Sequence, residues 1–278
     1  MLRRSCIYSI NLHYNRYTLY MNVLNVVVFG IVEGLTEFLP ISSTAHLIIA
    51  SKVLNVAQTD FVKLFEVFIQ SGAILAVVTL YYSYIRKNPQ MLNTLAVSFI
   101  PTAVIGFFLY NIIKTVFFNS LPLIIVALFS FGLIFLIMEW CVKKKKIILQ
   151  KSLSNIPLAV AFVIGLTQSI AVVPGVSRAG IVMVTMMILG YKRDESAQYS
   201  FLLAVPTILA ASAYDLYKMR SVIASSQNNW IALTVGFVVS FITAYIVIKW
   251  FIRFLKGNSL SVFGIYRIIL AIILTLSP

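Results

Sequence analysis

Long apolar runs dominate this sequence and restrict what it can fold into. Six of them have the length that a helix needs to cross a bilayer, at about residues 64–85, 92–113, 120–141, 197–217, 230–252 and 259–277. Hydrophobic residues make up 60% of the chain and charged residues only 11%, far from the balance of a soluble domain. Runs of this length favour helices over a barrel, because each helix satisfies its own backbone groups in lipid. The sequence therefore predicts an all-α polytopic membrane protein.

Two further apolar regions, at about residues 23–53 and 157–190, are interrupted in the middle by proline and polar residues. The interruptions read FLPISSTAH and VVPGVSRAG. Proline removes a helix hydrogen bond and restricts the residue before it, so each region is predicted to form two half-helices. The expected fold therefore has about six full spans and two broken re-entrant helical hairpins.

The two broken regions correspond when the chain is shifted by 135 residues. This shift sets Gly30 on Gly165, Glu33 on Gln168, Ser42 on Ser177 and Ser43 on Arg178. We interpret residues 21–278 as a single membrane domain with half-repeats at about 23–141 and 157–277. Loops rich and poor in Lys and Arg alternate along the chain, which predicts that the two hairpins enter from opposite sides. That arrangement is an inverted-topology repeat.

The net charge of +14 comes from 22 Lys and Arg residues against 8 acidic ones. In a membrane protein such an excess of Lys and Arg usually lies in cytoplasmic loops, where it sets the orientation of the spans. Membrane topology therefore explains the net charge better than nucleic-acid binding does. Residues 1–20 lack the apolar core of a secretory signal, and we interpret them as an N-terminal extension. Met1 and Met21 both stay open as the functional start. Cys6 and Cys141 are too few for a disulfide framework or a metal cage.

Glu33 and Glu37 are the most costly residues of the first broken region, and residues 23–50 around them contain no Lys or Arg to neutralise them. Their spacing of four places both on one face of a helix. Ionisable groups at bilayer depth usually line a water-filled cavity or bind a cation, although a carboxylate near a helix end can also reach the headgroups. The pair is therefore a candidate site for Mg²⁺ or Ca²⁺.

Polar residues continue past the carboxylates through Ser42, Ser43, Thr44 and His46. The hydroxyls are good starters for a half-helix, whose free N–H groups and positive dipole end suit phosphate. Helix capping alone also explains the serines, and a buried histidine with satisfied hydrogen bonds also explains His46. Because His46 lies one turn past the serines, we expect it to face the same cavity.

The second break supplies a positive charge. Gly175 permits a tight turn, Ser177 can cap a helix, and Arg178 is the only charged residue between Lys151 and Lys192. A guanidinium matches phosphate in a bidentate way, and an internal salt bridge to one of the two glutamates is the alternative. Together the two breaks fit a site for a polyanion and a divalent cation.

Several strings of this sequence resemble one family. GIVEGLTEFLPISSTAHLI, FEVFIQSGAILAV, VPGVSRAG, YSFLLAVP and FGIYRIILAIIL look like the bacterial undecaprenyl-diphosphate phosphatases, also called bacitracin-resistance proteins. The resemblance runs from about residue 23 to the C-terminus. It implies a divalent-metal-dependent hydrolase of the bacterial inner membrane, which converts undecaprenyl diphosphate to the monophosphate carrier used in peptidoglycan synthesis. The implied partners are a polyprenyl diphosphate lipid and membrane lipids, with no nucleic acid, and a homo-oligomer stays open.

The resemblance carries over residue by residue. We predict metal ligands at Glu33 and Glu37, catalytic residues at Glu37, Ser43, His46 and Arg178, and substrate-binding residues at Ser42, Thr44, Gly175, Ser177 and Arg178. Ser43, His46 or a water molecule activated by the metal stay open as the nucleophile. The family usually has Ser and Thr where this chain has Ala179 and Val182. Those hydroxyls are expected to make secondary hydrogen bonds to phosphate, so their absence here is expected to alter efficiency or substrate preference. The loop charges predict a site open to the extracytoplasmic side.

The main alternative is a carrier that flips a polyprenyl phosphate, because inverted repeats with broken helices are also a transporter plan. An acid-phosphatase-like lipid phosphatase is excluded, since it needs a basic first motif, a PSGH-like second motif and a final histidine. His13 and His46 are the only histidines here, and the motifs are missing. Glu66 and Asp215 belong to neither break, so we interpret them as structural or interfacial.

Overall fold

The computed structural model describes residues 21–118, 120–220 and 227–276. Ten α-helices lie in this part of the chain. In order they are α1 (Val23–Thr36), α2 (Ser43–Val53), α3 (Asp60–Lys87), α4 (Gln90–Ile112), α5 (Leu121–Lys143), α6 (Leu158–Gln168), α7 (Arg178–Ile188), α8 (Arg193–Lys218), α9 (Gln227–Leu255) and α10 (Ser261–Leu276). The predicted extension, residues 1–20, lies outside the described residues.

The all-helical membrane fold predicted from the apolar runs is confirmed. Helices α3, α4, α5, α8 and α9 are long and apolar enough to cross a membrane. The sixth predicted span is shorter than expected, because the polar connection after Leu255 delays the start of α10 until Ser261. Its 16 described residues rise about 24 Å, less than the roughly 30 Å of a hydrocarbon core.

Both predicted breaks are present. The first separates α1 from α2, and the second separates α6 and a short 3₁₀ turn (Ser169–Val172) from α7. Side chains define several helix starts: Asn22 accepts a hydrogen bond from the backbone N–H of Asn25 at 2.7 Å, and Thr59 accepts one from Val62 at 3.2 Å. Each broken region is therefore a pair of short helices that meet at a polar bend.

The two halves pack in the same pattern. Helix α1 packs along α9, and its counterpart α6 packs along α4, the counterpart of α9. Helices α3 and α8 pack against each other, as do α5 and α10. The equivalent glycines Gly30 and Gly165 both lie against a long helix, since a Cβ would lie 3.0 Å from the carbonyl oxygen of Gly236 or 2.2 Å from that of Ser98. Each broken region is thus held by a long helix of the opposite half.

A bidentate ion pair ties several elements together at the end of the bundle that holds the α5–α6 connection. Arg193 at the start of α8 donates to Glu139 on α5 through Nε at 2.8 Å and a terminal nitrogen at 2.5 Å. Glu139 also accepts the backbone N–H of Leu260, which precedes α10. Charge-assisted forks of this kind fix orientation as well as distance. They hold α5, α8 and α10 in register around the central broken helices.

Candidate active site

The bends of the two breaks have nearly the same backbone conformation. Ser42 and Ser177 both have a φ of 73°, and each directly precedes a half-helix of eleven residues. A positive φ is unfavourable for serine, and strained residues of this kind are found mainly where the surrounding structure and function require them. The geometry matches the sequence correspondence between Ser42 and Ser177, so the two motifs form equivalent turns.

The two turns contact each other. The backbone N–H of Gly175 donates to Ser42 Oγ at 3.2 Å, and Arg178 donates to Glu37 Oε1 at 2.9 Å. Gly175 has a φ of 97°, and a Cβ at this position would lie 2.7 Å from the carbonyl oxygen of Ile124. Only glycine fits this approach without a shift of the backbone. The alternative of an internal salt bridge between Arg178 and a glutamate is present in this structure.

Arg267 on α10 fixes both turns, and the sequence interpretation missed it. Its side chain is fully buried and donates only to backbone carbonyls among the described residues. The acceptors are Pro40 and Val176 at 3.1 Å, Ala127 and Leu128 at 3.4 Å, and Gly175. An arginine inside the apolar run 259–277 is costly to bury in a membrane, and this cost is the signal by which the sequence could have identified Arg267.

A cavity of about 490 Å³ opens between the two breaks and helices α4 and α8. Seven of the predicted site residues border it, namely Glu37, Ser42, Ser43, Thr44, Gly175, Ser177 and Arg178. The wall beyond them is largely apolar, with Phe99, Phe107 and Ile208 among its residues. The cavity therefore joins a polar, charged end to an apolar compartment.

Glu37 connects the nucleophile candidate to the arginine. Ser43 Oγ donates to Glu37 Oε2 at 2.5 Å, while Arg178 occupies Oε1 of the same carboxylate. A second guanidinium nitrogen of Arg178 donates to the carbonyl of Ser200 at 3.0 Å. Its Nε is buried and has no hydrogen-bond partner among the described residues. The arrangement is a serine paired with a base, beside a buried donor that suits an anion.

Glu33 lies one turn before Glu37 and is fully buried. Both of its carboxylate oxygens lack a hydrogen-bond partner among the described residues. Glu33 does not border the cavity, unlike Glu37. A buried carboxylate without a donor needs a cation or a proton, and a divalent cation shared with Glu37 would meet this need. The described residues hold no group of three or more His, Cys, Asp or Glu side chains suited to a metal. The remaining ligands would then be hydroxyl, water or phosphate oxygens, as is usual for Mg²⁺.

His46 does not face the cavity, in contrast to our expectation. Its Nδ1 lies 2.8 Å from the carbonyl oxygen of Ser42, and its Nε2 lies 2.7 Å from the hydroxyl of Tyr266 on α10. The two rings also stack, with centroids 5.7 Å apart. The rotation of α2 about its axis turns position 46 toward α10, while Ser43 and Thr44 face the cavity. Here His46 connects the first turn to α10.

Two other expectations change with the structure. Ala179 and Val182 are buried within α7 and do not border the cavity, so hydroxyls at these positions would not contact phosphate directly here. Asp215, interpreted as structural or interfacial, does border the cavity and accepts a hydrogen bond from Tyr110 at 2.7 Å. Glu66 accepts hydrogen bonds from Ser51 and Gln58, at 3.1 and 3.0 Å, consistent with a structural role.

Comparisons with known proteins identify the family of this chain. A family model described as bacitracin resistance protein BacA matches residues 26–273. This chain belongs to the bacitracin resistance protein family. It is 44% identical to the undecaprenyl-diphosphatase of Aquifex aeolicus over 254 residues, which cover 91% of this chain and 97% of that protein. Similar proteins of the same name occur in Sulfurihydrogenibium (47% identical, 91% and 98% covered) and Persephonella marina (46%, 92% and 99%).

The stretch shared with the bacitracin resistance protein family contains the whole site. It includes both breaks, the apolar walls of α4 and α8, and Arg267 on α10. The resemblance that the motifs predicted is therefore confirmed over most of the chain.

Proposed function

We propose that this protein hydrolyses undecaprenyl diphosphate to undecaprenyl phosphate and inorganic phosphate. The observation that carries this proposal is the contact series Ser43–Glu37–Arg178, at the polar end of a cavity with apolar walls. It supplies a nucleophile, a base and a phosphate-binding cation in one place. The names of the relatives and the family description support the same substrate and a part in bacitracin resistance. The monophosphate product is the lipid carrier that returns to peptidoglycan synthesis.

Ser43 is the nucleophile that the geometry favours. In the first step Ser43 Oγ bonds to the terminal phosphorus, and its proton passes to Glu37 at the other end of the 2.5 Å hydrogen bond. The bond from phosphorus to the bridging oxygen breaks, and that oxygen leaves on undecaprenyl phosphate with the proton from Glu37. Water then hydrolyses the phosphorylated Ser43. His46 contacts Tyr266 instead, which supports a role in positioning rather than in attack.

Phosphate would be bound by groups that both breaks supply. The first N–H groups of α2 and α7 begin at Ser43 and Arg178, beside the cavity, where the positive ends of both helix dipoles favour an anion. The buried Nε of Arg178 is a further donor. Glu33 and Glu37 would hold Mg²⁺ or Ca²⁺, which supplies positive charge that neutralises phosphate oxygens.

The apolar compartment suits the lipid part of this substrate. Helices α4 and α8 contribute Phe99, Ala103, Phe107, Ile208 and Ala211 to the cavity wall. The polyprenyl tail already lies in hydrocarbon within the bilayer, so an apolar wall accepts it without a desolvation cost and contributes packing contacts. We infer that the first isoprene units lie between α4 and α8 and the diphosphate lies at the breaks.

The charge distribution supports a site that opens to the extracytoplasmic side of the inner membrane. One end of the bundle holds the α3–α4, α5–α6 and α9–α10 connections. Most cations of the chain lie toward it: Arg86, Lys87, Lys143, Lys144, Lys145, Lys146, Lys151, Lys192, Arg193, Lys249, Arg253 and Lys256. Such an end is normally cytoplasmic. Tyr110 and Asp215, which border the cavity, lie near the opposite ends of α4 and α8.

Phosphate release from undecaprenyl diphosphate by the purified protein, with Mg²⁺ or Ca²⁺, tests the proposal. Ser43→Ala and Glu37→Gln should each lose most of the activity, whereas Ser130→Ala, an exposed serine on α5, should keep it. The transporter alternative predicts no release above the Glu37→Gln background, together with movement of polyprenyl phosphate across proteoliposome membranes. Assays with shorter polyprenyl diphosphates would define the chain length that the apolar wall accepts.

A further inference from the structure

Gln168 occupies in the second half the place that Glu33 occupies in the first. The shift of 135 residues pairs them, each lies in the last turn of the half-helix that enters the break, and both are fully buried. Gln168 borders the cavity that also contains Ser43 and Arg178. The structure therefore brings a neutral amide into the reaction cavity from the opposite half of the fold.

Two threonines fix the orientation of this amide. The hydroxyl of Thr102 donates to the carbonyl of Gly165 at 3.1 Å, and that of Thr207 donates to the carbonyl of Leu203 at 2.8 Å. Each hydroxyl has a single proton, so both oxygens can only accept from Gln168 Nε2, at 2.9 and 3.3 Å. Nε2 must then face the threonines, and Oε1 must face away from them.

Oε1 of Gln168 is a buried acceptor with no hydrogen-bond partner among the described residues. A buried amide oxygen of this kind requires a donor. The substrate does not supply one, since ionised phosphate oxygens are themselves acceptors and repel another oxygen. Water is the reactant that has protons to donate and must reach phosphorus in this cavity.

We propose that Gln168 is a positioning residue that holds the hydrolytic water through Oε1. This rests on the proposed function, in which Ser43 carries the phosphoryl group after the first step. The water oxygen bonds to phosphorus as the bond from Ser43 Oγ to phosphorus breaks. One water proton passes through Glu37 to Ser43 Oγ. The other proton stays on the water oxygen, which becomes part of the departing hydrogen phosphate. The O–H group that keeps this proton donates the hydrogen bond to Gln168 Oε1, and Gln168 gains no proton.

Gln168→Met tests this role, because Met has a similar length and removes the acceptor. Rapid-quench assays with terminally ³²P-labelled undecaprenyl diphosphate would follow lipid monophosphate, free phosphate and label on the protein. We expect a burst of one equivalent of lipid monophosphate, retained label on Ser43, and steady-state phosphate release lowered about a hundredfold with no rise in KM. Gln90→Met, the same change at an exposed position of α4, should behave as wild type.

Three results would overturn the role of Gln168 while leaving the proposed function intact. These are an equal loss of burst and steady-state rates, a raised KM at unchanged kcat, or no change. A wild-type protein that releases no phosphate would instead contradict the proposed function. If Gln168→Met fails to fold, Thr102→Val removes one orienting contact and should slow the second step about tenfold, with the burst preserved. An unchanged second step in Thr102→Val would overturn the role as well.

Discussion

The two broken helices share a backbone and differ in chemistry. Both turn through a serine with a φ of 73°, and both direct the N-terminus of a half-helix at the same cavity. The first break supplies Glu37 and Ser43, whereas the second supplies Arg178 and a neutral amide at the position that corresponds to Glu33. Carboxylates at both breaks would repel a diphosphate, and cations at both would leave Ser43 without a base. A symmetric fold thus provides two anion-binding helix ends, and reaction chemistry requires that their side chains differ.

The largest expected effect comes from removing the positive charge of the second break. Arg178→Ala should lower phosphate release by about a thousandfold or more, because it removes both a phosphate donor and the partner of Glu37. Arg178→Lys should also be strongly impaired, since an ammonium cannot contact Glu37, Ser200 and phosphate in the fixed directions of a guanidinium. Arg253→Ala, at an exposed position of α9, is the matched control.

The membrane level of Arg178→Ala should stay close to wild type, whereas its unfolding temperature in detergent should fall, because Glu37 becomes a buried carboxylate without its ion-pair partner. Activities are therefore compared well below that temperature. Activity within a few-fold of wild type would refute the phosphate-binding role and with it the division of chemistry between the breaks.

Arg267 belongs to neither break but contacts the backbone of both. Arg267→Met leaves the carbonyls of Pro40, Gly175 and Val176 without their donor. We expect activity to fall about a hundredfold, because small displacements of both turns disturb the alignment of Ser43 with phosphate. Steady-state kinetics with a thermal unfolding curve would measure the effect, and Arg267→Lys should be intermediate. Full activity in Arg267→Met would show that the two breaks keep their positions without this arginine.

The two halves are also expected to differ in their tolerance of a methyl group. A Cβ at Gly165 would lie 2.2 Å from the carbonyl oxygen of Ser98, whereas a Cβ at Gly30 would lie 3.0 Å from that of Gly236. Gly165→Ala should therefore lower the free energy of unfolding by about 2 kcal/mol more than Gly30→Ala. A Cβ at Gly106 on α4 would have no atom within 4 Å. Gly106→Ala should therefore raise the free energy of unfolding by about 0.5–1 kcal/mol, because alanine has the higher helix propensity. Equal losses at Gly165 and Gly30 would mean that the helix contacts of the two halves are equally adaptable.

The sequence was informative where a residue is costly in a membrane. Proline and charged residues inside apolar runs identified both breaks, and the charge of Arg178 suggested a salt bridge to a glutamate as the alternative to phosphate binding, a contact that is present. The same cost applies to Arg267, so its position could have been recognised, although the carbonyls it binds come from three separate segments. Gln168 has no charge and gave no comparable signal. The direction of His46 depends on how α2 is rotated and on Tyr266, 220 positions along the chain, which no local pattern specifies.

The smallest expected effect concerns the two positions of α7 where this chain departs from its family. Ala179 and Val182 are buried away from the cavity, so Ala179→Ser and Val182→Thr would place their hydroxyls in the core. A threonine at 182 can donate to the carbonyl of Arg178 one turn back, and a hydrogen bond of about 1 kcal/mol limits any change in rate to about fivefold. Phosphate release from undecaprenyl diphosphate by the double variant should be unchanged or slightly raised. A clear fall would mean that the second break of this protein is adapted to a different phosphate ester, and the contrast between the two breaks would then extend from reaction chemistry to substrate choice.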